Sequence, residues 1–145
     1  MAPTLAAAAL VSGAGVASAA AGDKYVGDTE AGDRVKLVTS PRGAVVRGAI
    51  TSITDCSGSF DDFRARVEFG RPLDESTRGG FSQEAAFVEE DDRFSGRYKY
   101  LIEAERQDER EITGTFTLKV TFRRDGEKYA TCRVEDLAFA VKRRD

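Results

Sequence analysis

Residues 98–123, YKYLIEAERQDEREITGTFTLKVTFR, alternate between apolar and polar side chains on both sides of a short charged segment. The apolar positions are Tyr98, Tyr100, Ile102, Ala104, Phe116, Leu118, Val120 and Phe122. A period of two places alternate side chains on opposite faces of a strand. The stretch therefore predicts a β-hairpin with one apolar face.

Pairing Tyr100 with Leu118 and Ile102 with Phe116 keeps both apolar sets on one face, because directly opposed residues share a face. This register leaves residues 108–110 as a three-residue loop. On the other face it sets three pairs opposite each other: Glu103 with Thr115, Glu105 with Thr113, and Lys99 with Lys119. The lysine pair is mildly unfavourable unless a neighbouring group or a bound anion relieves it.

The next turn offers two registers for Cys132. A two-residue turn at 125–126 would set Cys132 opposite Lys119 and send its side chain outward. A three-residue loop at 124–126, with the glycine in the left-handed conformation, would set it opposite Leu118 on the apolar face. We favour the second register because it buries the cysteine.

The rest of the chain from residue 24 onward shows the same alternation, divided by turn signals. The apolar residues of the last strand change from even to odd positions between Val134 and Leu137, which predicts a β-bulge near residues 135–136. Only one short helical turn, near residues 82–86, is compatible with the pattern. Short strands with one apolar face must close over that face. We therefore predict a single all-β domain over residues 23–145, an antiparallel β-sandwich or flattened barrel of about eight strands, mostly in meander order.

The first twenty-two residues are uncharged and rich in Ala, Gly, Ser and Val. They end in a small-residue run, which predicts a secretory signal peptide over residues 1–19, with cleavage as late as Ala21. A basic residue is missing from its start, so a retained membrane anchor and a disordered tail remain alternatives. No cysteine lies near the cleavage site, so a lipid anchor is not expected. The predicted location is extracellular, with no membrane span once the leader is removed.

The two cysteines, Cys56 and Cys132, are predicted to form one disulfide, since exported chains are oxidised. Closing a loop of about 77 residues stabilises a fold by roughly 4 kcal/mol. The alternative is a reactive thiol, which requires an electropositive site and a resolving partner.

The amino-acid composition excludes several kinds of catalytic and metal-binding site. The chain has no histidine, so neither a Ser-His-Asp or Cys-His catalytic site nor a His-ligated zinc site can form. The net charge is −3 and the two signs are interspersed, which gives no basic field for nucleic acid. We predict no catalytic residue, no cofactor and no metal ligand.

A set of short Gly and aromatic motifs spans most of the mature chain. It consists of Tyr25-x-Gly27-x-Thr29, Val35-x-Leu37, Cys56, Phe94-x-Gly96, Gly114-x-Phe116-x-Leu118-x-Val120, Cys132 and Phe139. The set resembles small secreted β-domains of high-GC Gram-positive bacteria, which are generally uncharacterised proteins. At residues 133–136 this chain departs from the small or Gly-containing turn of such domains. The resemblance implies an exported β-domain and brings no catalytic residues.

Three groups of side chains are candidates for binding. The acidic run at residues 89–92 lacks the alternating spacing of a calcium loop, and we interpret it as a solvated loop tip. Glu103 and Glu105 share one strand face within about 7 Å, a spacing seen in glycoside hydrolases. Among the tyrosines, Tyr25, Tyr98 and Tyr100 are candidates for sugar stacking, but the last two lie on the apolar face and are expected in the core. Tyr129 is the best exposed candidate.

We therefore predict a secreted, non-enzymatic, monomeric binding module for an extracellular polysaccharide or protein. Its ligand face is predicted to comprise Glu103, Glu105, Thr113, Thr115 and Tyr129. The alternatives are a barrel that carries a small apolar ligand and a secreted hydrolase that uses paired carboxylates.

Overall fold

The computed structural model describes residues 22–58, 61–76 and 79–144, and its regular structure is all strand. The strands are β1 Lys24–Thr29, β2 Arg34–Thr39, β3 Val45–Cys56, β4 Phe63–Glu68, β5 Asp74–Glu75, β6 Gly80–Glu90, β7 Phe94–Asp108, β8 Glu111–Arg124 and β9 Glu127–Arg143. The all-β prediction is confirmed, and residues 82–86, the one place where the pattern was compatible with a helical turn, lie inside β6. The predicted leader and its cleavage site at residues 1–21 lie outside the described residues.

All nine strands belong to one antiparallel sheet in the order β4-β3-β2-β1-β9-β8-β7-β6-β5. The order is a meander on each side of the β1–β9 pair, which joins the first and last of the described strands. The end of β3 also pairs with β9, where Asp55 lies opposite Arg133 and Cys56 opposite Cys132. The sheet thereby folds over, so that β1–β4 face β6–β9.

The core fills the space between the two halves. Phe63 of β4 meets Phe122 of β8 edge to face at 5.1 Å, and Phe69 lies 5.9 Å from the Tyr100 ring. Ile50, Val67, Ile102, Phe116 and Leu118 are completely buried. Burial of this apolar surface holds the folded-over sheet together.

The register of β7 on β8 is confirmed: Tyr100 lies opposite Leu118, Ile102 opposite Phe116, and the three outer pairs are as predicted. The loop between them is shorter than predicted. Asp108 pairs with Glu111 after a bulge at residue 107, so the turn consists of two residues, 109–110. The extra residue is taken up within the strand rather than in the loop.

The register predicted for Cys132 is wrong, although the cysteine is buried as expected. The turn has two residues, Asp125 and Gly126, both with positive φ (51° and 84°), as a type I′ hairpin requires. A bulge at Tyr129 then shifts the pairing, so Cys132 lies opposite Val120 rather than Leu118. A three-residue loop was the only arrangement expected to bury Cys132. A two-residue turn followed by a bulge turns the cysteine to the same buried face.

The second bulge of β9 lies where it was predicted. Val134 lies opposite Leu118 and Leu137 opposite Phe116, so residues 135–136 stand against one residue of β8. Asp136 adopts a positive φ of 48°, and its N–H donates to Thr117 Oγ1 at 3.0 Å.

Cys56 and Cys132 form the predicted disulfide. It joins the end of β3 to β9 across 76 residues and ties the first half of the sheet to the second. The disulfide therefore secures the fold-over itself rather than a local loop.

Candidate outer-face binding site

The solvent side of β6–β9, called here the outer face, holds four of the five predicted ligand residues. Glu103 and Glu105 of β7 lie beside Thr115 and Thr113 of β8 around a shallow depression of about 490 Å³. Gln107 joins them, donating from Nε2 to Thr113 Oγ1 at 2.8 Å. The depression thus presents carboxylates, hydroxyls and a carboxamide to solvent.

Gly114 of β8 lies beneath this depression and faces the same buried side of the strand as Phe116. A Cβ at this position would lie 2.3 Å from the Glu103 carbonyl oxygen and 2.7 Å from the Phe139 ring. Strand β8 therefore approaches its neighbours more closely here than any side chain would allow. The exposed carboxylates stand on a well-packed support.

Tyr129 does not belong to this group. It is the bulged residue at the start of β9, and its ring, 49% exposed, packs edge to face on Phe94 at 5.8 Å. Its position beside residues 122–123 of β8 is roughly 25 Å along the strand from Thr115. The structure therefore separates this aromatic ring from the other predicted ligand residues.

Between these two places lies a row of cations on the outer face. Lys99, Lys119 and Arg133 occupy directly opposed positions on β7, β8 and β9, and all three are exposed. We call them the cationic row. No carboxylate of a described residue lies within 4 Å of their charged groups, although Asp55 is the strand neighbour of Arg133.

The sequence predicts the opposed lysine pair, whereas Arg133 is not among the residues predicted beside it. Either register considered for the β8–β9 turn would have placed another residue opposite Lys119. The bulge at Tyr129 brings Arg133 there. An exposed tyrosine just after a β-turn, followed by three buried residues, 130–132, is the local pattern that such a bulge produces.

The acidic run at residues 89–92 stabilises its own turn. The N–H groups of Arg93 and Phe94 donate to Asp91 Oδ1 at 3.1 and 2.9 Å, and these bonds lower the pKa of the Asp91 carboxyl. Within residues 22–58, 61–76 and 79–144, no three Cys, Asp or Glu side chains are placed to hold a metal ion.

The remaining tyrosines are structural. Tyr98 and Tyr100 are buried as expected, and burial raises the pKa of both phenols. Tyr100 donates to Gln83 Oε1, while Gln83 Nε2 donates to the carbonyl oxygens of Arg71 and Pro72. Tyr25 is also buried, its hydroxyl donating to the Glu109 carbonyl at 2.9 Å.

Comparison of the chain with protein-family models, with curated proteins and with solved structures finds no match. The resemblance to small secreted β-domains stays a prediction. Among the described residues, no helix has the length and apolar character that crossing a membrane requires.

Proposed function

We propose that this protein is an exported binding module whose outer face binds an acidic polysaccharide. The cationic row carries the proposal. Three positive charges face each other on neighbouring strands, at a strand spacing of about 4.8 Å, without a carboxylate partner among the described residues. Like charges directly opposite each other destabilise a sheet, and a bound anion removes that repulsion.

The depression around Glu103 and Glu105 makes one end of the outer face acidic, whereas the cationic row lies further along the strands. The depression begins four residues along β7 from Lys99, a distance of about 13 Å. Its threonine hydroxyls and Gln107 suit the hydroxyl groups of a sugar, whereas its carboxylates repel acidic units. An acidic chain is therefore expected to lie along the cationic row, across the strands, with neutral parts extending toward the depression.

The two alternative functions have weaker support in the geometry. A carrier needs an apolar interior cavity, but the space between the two halves of the sheet is occupied by buried side chains. A carboxylate hydrolase needs a water-excluding cleft around its acid, but Glu103 and Glu105 are exposed on an open strand face.

Affinity electrophoresis tests the proposal, with polygalacturonate or neutral dextran cast into a native gel. We expect polygalacturonate to retard the disulfide-bonded protein, dextran not to do so, and retardation to weaken as NaCl is added. Lys119→Glu should abolish the retardation. The same variant places a carboxylate between Lys99 and Arg133, so its free energy of unfolding should rise by about 0.2–1 kcal/mol.

Lys142→Glu provides the matched control, because it makes the same charge change on β9 outside the cationic row. Equal loss of binding in both variants would refute the site and leave only a net-charge effect. Retention by dextran alone would refute acidic specificity. Tighter binding of a single-stranded oligonucleotide at equal salt would point to a nucleic acid instead.

A further inference from the structure

Strand β4 at one end of the sheet and strand β6, next to the two-residue β5 at the other end, do not pair with each other. Most of their Cα atoms lie more than 8 Å apart, whereas paired antiparallel strands lie about 5 Å apart. The gap forms a groove of about 540 Å³, called here the β4–β6 groove. Its lining includes Arg66, Glu68, Arg71, Gln83, Ala85 and Phe87.

The backbone of β6 presents unpaired hydrogen-bonding groups to this groove. The Gly80 carbonyl accepts a bond from the Ser76 N–H, on the side away from β7. Since alternate residues of a strand point the same way and β6 pairs with β7 without a bulge, Glu84, Ala86 and Val88 also direct their N–H and C=O groups away from β7. Strand β5 covers only residues 81–82, and no other described strand pairs with this edge.

This free edge is also apolar. Residues 85–88, Ala-Ala-Phe-Val, are uncharged. Phe87 is half-buried, with its ring stacked on Tyr98 at 4.6 Å, and Val88 is 53% exposed. An exposed edge with unpaired backbone groups and apolar side chains is a template for the addition of a further strand.

Charge distinguishes the two sides of the groove. The arginines on the β4 side each have a carboxylate partner: Arg64 with Asp33 at 2.6 Å, Arg66 with Glu68 at 2.9 Å, and Arg71 with Asp74 at 3.3 Å. On β6, Glu84 and Glu90 flank the apolar stretch and form no ion pair with a described residue. The free edge therefore has acidic ends.

These acidic ends disfavour a second copy of the chain as the added strand. Antiparallel pairing of two β6 edges centred on Phe87 would set Glu84 of each copy opposite Glu90 of the other. Like charges in directly opposed positions are destabilising. The complementary occupant has basic ends.

We propose that the free edge of β6 binds an extended peptide segment of another protein, with an uncharged β-forming centre and Lys or Arg at both ends. The peptide adds antiparallel to β6. Its backbone bonds to Glu84, Ala86 and Val88, its inward side chains cover Ala85 and Phe87, and its basic ends face the two flanking glutamates. Lys99 of the cationic row lies opposite Ala86, but the peptide bonds to the side of β6 away from β7, so each of the two proposals can fail without the other.

Fluorescence polarisation with two labelled peptides tests the charge requirement. The probes are Lys-Val-Thr-Val-Thr-Val-Lys, whose ends are as far apart as Glu84 and Glu90, and the same peptide with Glu at both ends. We expect the lysine peptide to bind about tenfold more tightly. The double variant Glu84→Lys/Glu90→Lys should reverse this preference, whereas the matched control Glu109→Lys/Glu127→Lys, with the same charge change at exposed positions elsewhere, should keep it.

Two further measurements test the strand addition itself. Ala86→Pro removes an N–H that faces the groove and leaves the bonds to β7 in place, so it should weaken binding about tenfold with little change in melting temperature. If the proline unfolds the domain, a lysine peptide N-methylated at alternate residues replaces this test and should bind the unaltered protein about tenfold more weakly. In hydrogen exchange, the amides of residues 84, 86 and 88 should become protected when the lysine peptide binds.

Several results would overturn the proposal. They are unchanged binding by a folded Ala86→Pro variant or by the N-methylated peptide, equal binding of the two peptides, and amide protection confined to other strands. A dimer in sedimentation experiments, with the β6 edge amides protected before any peptide is added, would show that a second copy occupies the edge.

Discussion

Replacing Gly126 by valine tests the turn that sets the start of β9. Gly126 has a φ of +84°, and no atom lies within 4 Å of the position that its Cβ would occupy. The substitution therefore costs backbone strain without a steric clash. A left-handed conformation costs an L-residue about 1–2 kcal/mol, and β-branching places valine at the upper end of that range. For a domain of this size, such a loss lowers the melting temperature by roughly 3–8 °C.

Thermal and urea unfolding, followed by circular dichroism on the oxidised protein, measure this loss. Gly126→Asn should cost less, because asparagine tolerates positive φ. Gly70→Ala is the matched control: its added Cβ also meets nothing within 4 Å, and its φ is not positive, so stability should stay equal or rise slightly. A Gly126→Val protein as stable as the parent would refute the type I′ turn, and with it the bulge that positions Cys132.

Three other predictions address the disulfide, the export and one carboxylate. Cys132→Ser should lower the free energy of unfolding by about 2–5 kcal/mol, and equal melting of the variant and the oxidised parent would contradict a bridge between the two halves of the sheet. Protein collected from the medium of an exporting host should have an intact mass that begins after Ala19, or within two residues of it, and is two hydrogens lighter than the reduced chain; a full-length mass would contradict cleavage. Because hydrogen bonds to the folded carboxylate lower the pKa of Asp91, its contribution to stability is present above about pH 4 and is lost as the pH falls through the folded pKa. The Phe94 amide resonance should therefore titrate in NMR with a midpoint below the ordinary value for aspartate, and a midpoint at or above that value would contradict the bonds in this turn.

Four of the five residues of the predicted ligand face lie together in the structure, and the fifth does not. Glu103, Glu105, Thr113 and Thr115 meet because they belong to one hairpin, whose register follows from which residues are apolar. Tyr129 was added to them from its face alone, and it lies far along the sheet. The side of the sheet on which a residue lies follows from whether its position in the strand is odd or even. Its partners on the neighbouring strand depend on the turns and bulges that set the pairing.

Local sequence pattern alone determined the strands, the register of β7 on β8, the bulge near residues 135–136 and the pairing of the two cysteines. These features depend on residues close in the chain, or on there being only two thiols to join. Only the tertiary structure decided that β1 pairs with β9, that a bulge at Tyr129 brings Arg133 beside Lys119, and that β4 and β6 leave a groove between them. The physical reason is that an alternating pattern specifies which face of a strand is buried but not which strand lies beside it. Strand neighbours are selected by closure of the whole sheet around its core, where many weak contacts between distant residues are satisfied together.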